Sequence, residues 1–166
     1  EERNPGEDRA MLQSPQDCAT YDEKPEMSAK EVTETILDRA ADYDLIIVNY
    51  ANPDMVGHTG NVPAAIRAVE CVDQCVRQVV EKVISLGGKL LIAADHGNCE
   101  EMINEDGSPQ TAHTTYPVPL IYVGADADDL VLADGILADI APTILGLLGL
   151  TPPVEMTGRS LLSPKR

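Results

Sequence analysis

The sequence predicts an α/β fold in which a mostly parallel sheet is flanked by helices, and three observations predict it. Residues 44–50 carry Leu45, Ile46, Ile47 and Val48 in succession, the short β-branched run of a buried strand. From Asn61 to Leu86 the residues Val62, Ile66, Val69, Val76, Val80 and Val83 recur at helical spacing, which gives one face of a long helix an apolar stripe. A second apolar run, Leu90, Leu91, Ile92 and Ala93, follows immediately after Gly87-Gly88. Strand, helix and strand in that order imply a right-handed crossover between parallel neighbours.

The remaining elements follow in chain order. Residues 1–27 contain Pro5, Pro15 and Pro25 and read as an irregular lead-in, with a short strand near Ala10, Met11 and Leu12. Ser28-Ala29-Lys30-Glu31 has the form of a capping box, Ser28 serving the free amides and Glu31 reaching back, and it opens a helix to about Ala41. Residues 97–117 are polar and lack periodicity. Residues 118–123 form a third strand, expected to run antiparallel to the second because no crossover helix separates them. Residues 136–150 read as a helix closed by Gly149, ahead of Pro152-Pro153 and an irregular tail.

A length of 166 residues suits one compact domain with its own core. No apolar run approaches the roughly 20 residues that cross a bilayer, and residues 1–9 show no apolar leader core, so a soluble cytoplasmic protein without a membrane partner is expected. The net charge of −16 argues against nucleic-acid binding, since a polyanion would be repelled. A small anionic substrate would need local positive charge; bound divalent cations would supply it. Cys18, Cys71, Cys75 and Cys99 are expected to be reduced thiols. Cys71 and Cys75, four apart on the long helix, could ligate metal, but packing is the plainer role.

All three histidines stand close to acidic or small polar residues: Asp54-Met55-Val56-Gly57-His58, Asp95-His96-Gly97-Asn98 and Thr111-Ala112-His113-Thr114. Carboxylate oxygen and imidazole nitrogen together suit divalent cations such as Mn²⁺ and Zn²⁺. Ligands of open α/β sheets bind beyond the carboxyl ends of strands, where Asp54, Asp95 and His96 fall; an antiparallel third strand would return His113 to the same edge. Asp54, His58, Asp95, His96 and His113 are therefore the candidate metal ligands. No serine stands in a nucleophile-elbow context, so the chain offers ligands without an evident nucleophile.

The stretches Thr20-Tyr21-Asp22, Lys24-Pro25-Glu26-Met27-Ser28-Ala29, Asn49-Tyr50-Ala51-Asn52-Pro53-Asp54-Met55-Val56-Gly57-His58, Ala94-Asp95-His96-Gly97-Asn98, Thr111-Ala112-His113-Thr114 and Glu155-Met156-Thr157-Gly158 closely resemble the 2,3-bisphosphoglycerate-independent phosphoglycerate mutase family. The resemblance implies an alkaline-phosphatase-like fold, with residues 28–166 the C-terminal segment of its metal-binding domain. It implies that Asp54, His58 and His113 hold one Mn²⁺ and that Asp95 and His96 supply part of a second site, with Mg²⁺, Co²⁺ or Zn²⁺ as substitutes. It implies interconversion of 3-phosphoglycerate and 2-phosphoglycerate in glycolysis through a phosphoserine. The serine, further ligands and substrate-binding arginines of the family match nothing in this chain, which by this reading needs the N-terminal portion of the enzyme as partner and is inactive alone. Two alternatives stand beside it: another metal-dependent phosphohydrolase or phosphomutase of the alkaline phosphatase superfamily, and a non-catalytic metal-binding remnant.

Overall fold

The computed structural model describes residues 2–165. These fall into two compact units rather than the one that the length suits. Unit 1 contains the residues up to Lys82 together with His96–Tyr116; unit 2 contains Val83–Asp95 and the residues from Pro117 onward.

Unit 1 is helical. Among the described residues its lead-in forms no strand and carries one 3₁₀ turn, Tyr21–Glu23. It is tied down by side chains: the Tyr43 hydroxyl and the Arg39 guanidinium both donate to Asp8, and these bonds, Tyr43 first, hold the Asp8 carboxyl down at about 2. Helix α1 spans Ala29–Arg39 and tightens into a 3₁₀ turn, Ala40–Asp42. The capping box is a correction. Ser28 does precede the helix, but its hydroxyl donates 2.7 Å to the Gln13 carbonyl and caps no helix amide. Its one proton fastens the lead-in instead.

The strand expected over residues 44–50 is not formed. A strand is a paired object, and among the described residues no backbone ladder runs along this segment, which leaves Ile47 84% exposed. Helix α2, Asn52–Gly57, follows with Pro53 in its first turn, where a missing N–H costs nothing. The buried Asn52 donates 2.9 Å to the Pro25 carbonyl, joining α2 to the lead-in.

Helix α3 spans Val62–Ser85, its last residues counted with unit 2. The face it buries is made of Ala64, Ala65, Ala68, Cys75 and Val79, while Ile66 and Val69 of the expected stripe are exposed. Small side chains win here because they let the helix backbone approach closely. Val56, Met102 and the three alanines form one buried cluster, with Tyr21, Val62 and Cys99 packed around it. Gly87, at φ +74°, ends α3: its amide reaches the Ile84 carbonyl and the Gly88 amide the Val83 carbonyl, the paired bonds of a left-handed helix cap.

Among the described residues the strands fall in unit 2. β1 (Leu90–Ala93) pairs antiparallel with β2 (Leu120–Val123) in the register Leu90↔Val123 and Ala93↔Leu120, as expected for the second and third strands. The parallel part of the sheet is corrected. Both pairings among the described residues are antiparallel, because the partner a parallel crossover needs, residues 44–50, forms no ladder. A second ribbon was not expected: β3 (Leu130–Leu132), ahead of the C-terminal helix, pairs antiparallel with β4 (Leu162–Pro164) of the supposed tail. Three-residue strands are too short to display an alternation.

The C-terminal helix begins as a 3₁₀ turn, Leu137–Asp139, and continues as α4, Ile140–Leu147, closed by Gly149 as expected. Asp139 is buried at the junction. Its Oδ2 accepts the Ile136 amide at 2.9 Å and its Oδ1 the Arg159 amide at 2.8 Å, bonds that lower its carboxyl pKa below 3.8. Thr143 donates 2.7 Å to the Asp139 carbonyl and accepts the Leu161 amide, so the buried polar groups of this corner are paired. Among the described residues no helix is long and apolar enough to cross a membrane.

Candidate metal centre

The centre lies within unit 1. The 3.6-residue period of α2 puts Asp54 and its C-cap His58 one turn apart on the same face, and the Asp54 Oδ1 lies 3.0 Å from the His58 Nε2. His96 and His113 come from the polar stretch that lacks helices. There the Thr114 amide donates 2.9 Å to the Gly97 carbonyl in an isolated antiparallel bridge, which sets the two loops side by side. The rings of His96 and His113 stack, with centroids 3.6 Å apart and planes inclined by 15°.

Four of the five candidate ligands meet at Asp54. Its Oδ1 is 3.0 Å from the His113 Nε2 and 3.7 Å from the His96 Nε2, and the His58 and His113 Nε2 atoms are 3.0 Å apart. Asp54, His96 and His113 each place a donor atom within 4.8 Å of the other two. His96 thus stands with Asp54 and His113 in one gathering, and Asp95 is counted with unit 2.

The protons of this cluster decide what it can hold. The His58 Nδ1 is 2.5 Å from the Thr111 carbonyl, and the His96 Nδ1 is 3.3 Å from the Gly97 carbonyl. A carbonyl only accepts, so each Nδ1 carries a hydrogen, and in the neutral imidazole each Nε2 then turns a lone pair inward. Those lone pairs face a carboxylate and one another. The His113 Nε2 lies 3.0 Å from the same Asp54 oxygen, and a single shared proton does not satisfy the four groups. A shared cation does, and borderline divalent ions take this mixture of imidazole and carboxylate. All four side chains remain partly open to solvent, which gives an ion and its ligands access.

Neighbouring residues explain the two glycines. A Cβ on Gly57 would overlap the amide of Asn98, which is 5% exposed and whose side-chain oxygen and nitrogen have no hydrogen-bond partner among the described residues. A Cβ on Gly97 would overlap the Glu100 carboxylate and the Thr114 hydroxyl, which are hydrogen-bonded across it. Glu100 also accepts the Asn98 amide at 2.7 Å, and its carboxyl is held below its ordinary range, first by the Thr114 hydroxyl. What each glycine provides is close approach for a neighbouring side chain. Cys99 donates 3.1 Å to the Pro53 carbonyl, and burial pushes its thiol up, so it stays a protonated packing residue. Burial likewise raises Cys71, and Cys75 is 2% exposed, in keeping with packing for that pair. Thr111, Asn98, Glu100 and Thr114 were absent from the sequence-derived candidates; only the closed loop reveals them.

Comparison with known proteins gives a consistent answer. A model of the metalloenzyme superfamily matches residues 1–152. The 2,3-bisphosphoglycerate-independent phosphoglycerate mutase of Akkermansia muciniphila is 59% identical over 160 residues, covering 96% of this chain and 31% of that protein. The protein of the same name from Syntrophotalea carbinolica is 58% identical over 166 residues, covering 99% of this chain and 32% of its own length. A solved structure of Leishmania mexicana phosphoglycerate mutase, obtained at low cobalt concentration, superposes with a TM-score of 0.81 at 30% identity, over 93% of this chain and 31% of that one. The chain therefore spans about a third of the length of these relatives. The fold is the alkaline-phosphatase-like one that the resemblance implied, present in part. The four converging side chains lie inside the matched span, and the chain belongs to the metalloenzyme superfamily.

Proposed function

We propose that this chain is the C-terminal, metal-binding part of a cytoplasmic 2,3-bisphosphoglycerate-independent phosphoglycerate mutase, interconverting 3-phosphoglycerate and 2-phosphoglycerate in glycolysis. The observation that carries the reading is the gathering of Asp54, His58, His96 and His113 with their lone pairs turned inward, in a chain 58–59% identical to mutases of that name. Asp54, His58 and His113 hold one Mn²⁺; Asp95 and His96 contribute to a second, completed by residues outside this chain. When bound, such ions neutralise phosphoryl oxygens and acidify a hydroxyl nucleophile.

The chain's own contribution is orientation. The Thr111 and Gly97 carbonyls keep the His58 and His96 rings in the ligating tautomer, and Asp54 adds a negative charge that offsets an ion held beside a phosphate. The nucleophilic serine and the arginines that hold glycerate belong to the rest of the enzyme. The test is a paired assay of the purified 166-residue chain. Calorimetry shows Mn²⁺ binding that is lost in a His58→Ala/His113→Ala variant, and the chain alone gives negligible conversion of 3-phosphoglycerate. Robust conversion, free of host mutase, overturns the partial-enzyme reading; equal Mn²⁺ affinity in the variant removes these ligands.

A further inference from the structure

His96 and His113 are seventeen positions apart in a stretch with no helix and no strand longer than a one-residue bridge, yet their rings stack at 3.6 Å. Backbone pairing contributes one close hydrogen bond, Thr114 amide to Gly97 carbonyl. The other link is a side chain. The Glu100 carboxylate accepts the Thr114 hydroxyl, one residue from His113, with Oε1, and the Asn98 amide, two residues from His96, with Oε2. It crosses directly over Gly97, where a Cβ would obstruct it. Glu100 does not join the group whose donor atoms converge with Asp54, and both its oxygens already accept hydrogen bonds.

We propose that Glu100 is a positioning residue: its carboxylate latches the loop carrying His96 to the loop carrying His113 and thereby sets the spacing of the two imidazoles for a divalent cation. The proposal rests on reading the cluster as a metal centre. What matters to a latch is its hydrogen bonds rather than its charge. Glutamine can make both, its carbonyl accepting the Asn98 amide and its NH₂ donating to the Thr114 oxygen, whereas alanine makes neither. Loss of a direct outer partner of a ligating histidine lowers metal affinity about 10–100-fold, and a latch one residue further out is expected at the low end of that range.

The experiment combines calorimetric titration of Mn²⁺ with ring NMR of the metal-free full chain, which has only three histidines. Glu100→Ala and Thr114→Val each weaken Mn²⁺ binding about tenfold, Glu100→Gln stays within about twofold, and the Ala/Val double variant is no weaker than either single one. In the metal-free protein, Glu100→Ala moves the His96 and His113 ring signals and leaves those of His58 in place. Wild-type affinity in Glu100→Ala, equal losses in Glu100→Gln and Glu100→Ala, or additive effects in the double variant overturn the latch. A wild-type chain that binds no Mn²⁺ overturns the metal reading instead, and the metal-free spectra then decide the latch alone, unchanged rings in Glu100→Ala refuting it. Should Glu100→Ala fail to fold by circular dichroism, Thr114→Val set against Glu100→Gln decides between latch and no latch, equal affinity in those two refuting it.

Discussion

Asp54 in unit 1 and Asp139 in unit 2 are carboxylates on short helical turns, and the protein treats them in opposite ways. Asp139 is met by two backbone amides, which always donate, and its charge is settled within the fold. Asp54 is met by imidazole nitrogens, and two of those rings direct their Nδ1 hydrogens to carbonyls elsewhere. The difference separates an architectural charge from a working one. A buried or half-buried acid whose partners are lone pairs is waiting for a cation; one whose partners are amides is not.

The sharpest way to break this comparison is to remove each acid. Asp54→Ala should lower divalent-metal affinity by more than about 100-fold, beyond the loss typical of an outer-shell partner, and leave the thermal midpoint of the metal-free chain unchanged or raised. Asp139→Ala should do the reverse, lowering the midpoint with little change in metal affinity. Calorimetry and circular-dichroism melting read both, and equal effects of the two variants on either quantity would erase the distinction.

Metal addition comes next. Free Mn²⁺ at about 100 times its dissociation constant should add about 2.7 kcal/mol to the stability of whatever unfolds with the site, and Asp54→Ala should abolish that gain. Acid separates the two carboxylates further. The Asp139 carboxyl is lowered in the fold, so its contribution is complete above the ordinary value of 3.8 and is lost as pH falls through and below it. Asp139→Asn should therefore flatten the acid limb of the metal-free stability profile. Metal binding should fail earlier on acidification, because protons compete directly with the ion for imidazole nitrogens. The smallest effect is expected at residues 44–50: Ile47→Thr, at an 84% exposed side chain, should change stability by no more than about 0.5 kcal/mol.

The site was legible in sequence to the extent that chemistry clusters along a chain. Asp54 and His58 share a helical turn, and His113 was placed at the same edge by arguing an antiparallel third strand, which β1 and β2 form. What could not be read were contacts that exist only once loops close: Glu100 lying across Gly97, and Thr111 fixing a ring 53 positions away. The fold was misread where apolar character stood for burial. Valine and isoleucine outweighed alanine in the reading of α3, yet Ala64, Ala65 and Ala68 are the residues that pack. Residues 44–50 have strand composition, but a ladder also requires a second strand.

The carbonyl bonds to the His58 and His96 Nδ1 atoms also govern how fast the centre can fill. Both rings are already turned, so an arriving ion needs no ring flip; it has to exchange water for nitrogen and oxygen. Capture is then timed by the ion's own loss of water. Mg²⁺, which dehydrates reluctantly, should enter slowly and Mn²⁺ quickly, and stopped-flow mixing should show the ratio of their entry rates surviving even where a substitution has shifted their affinities.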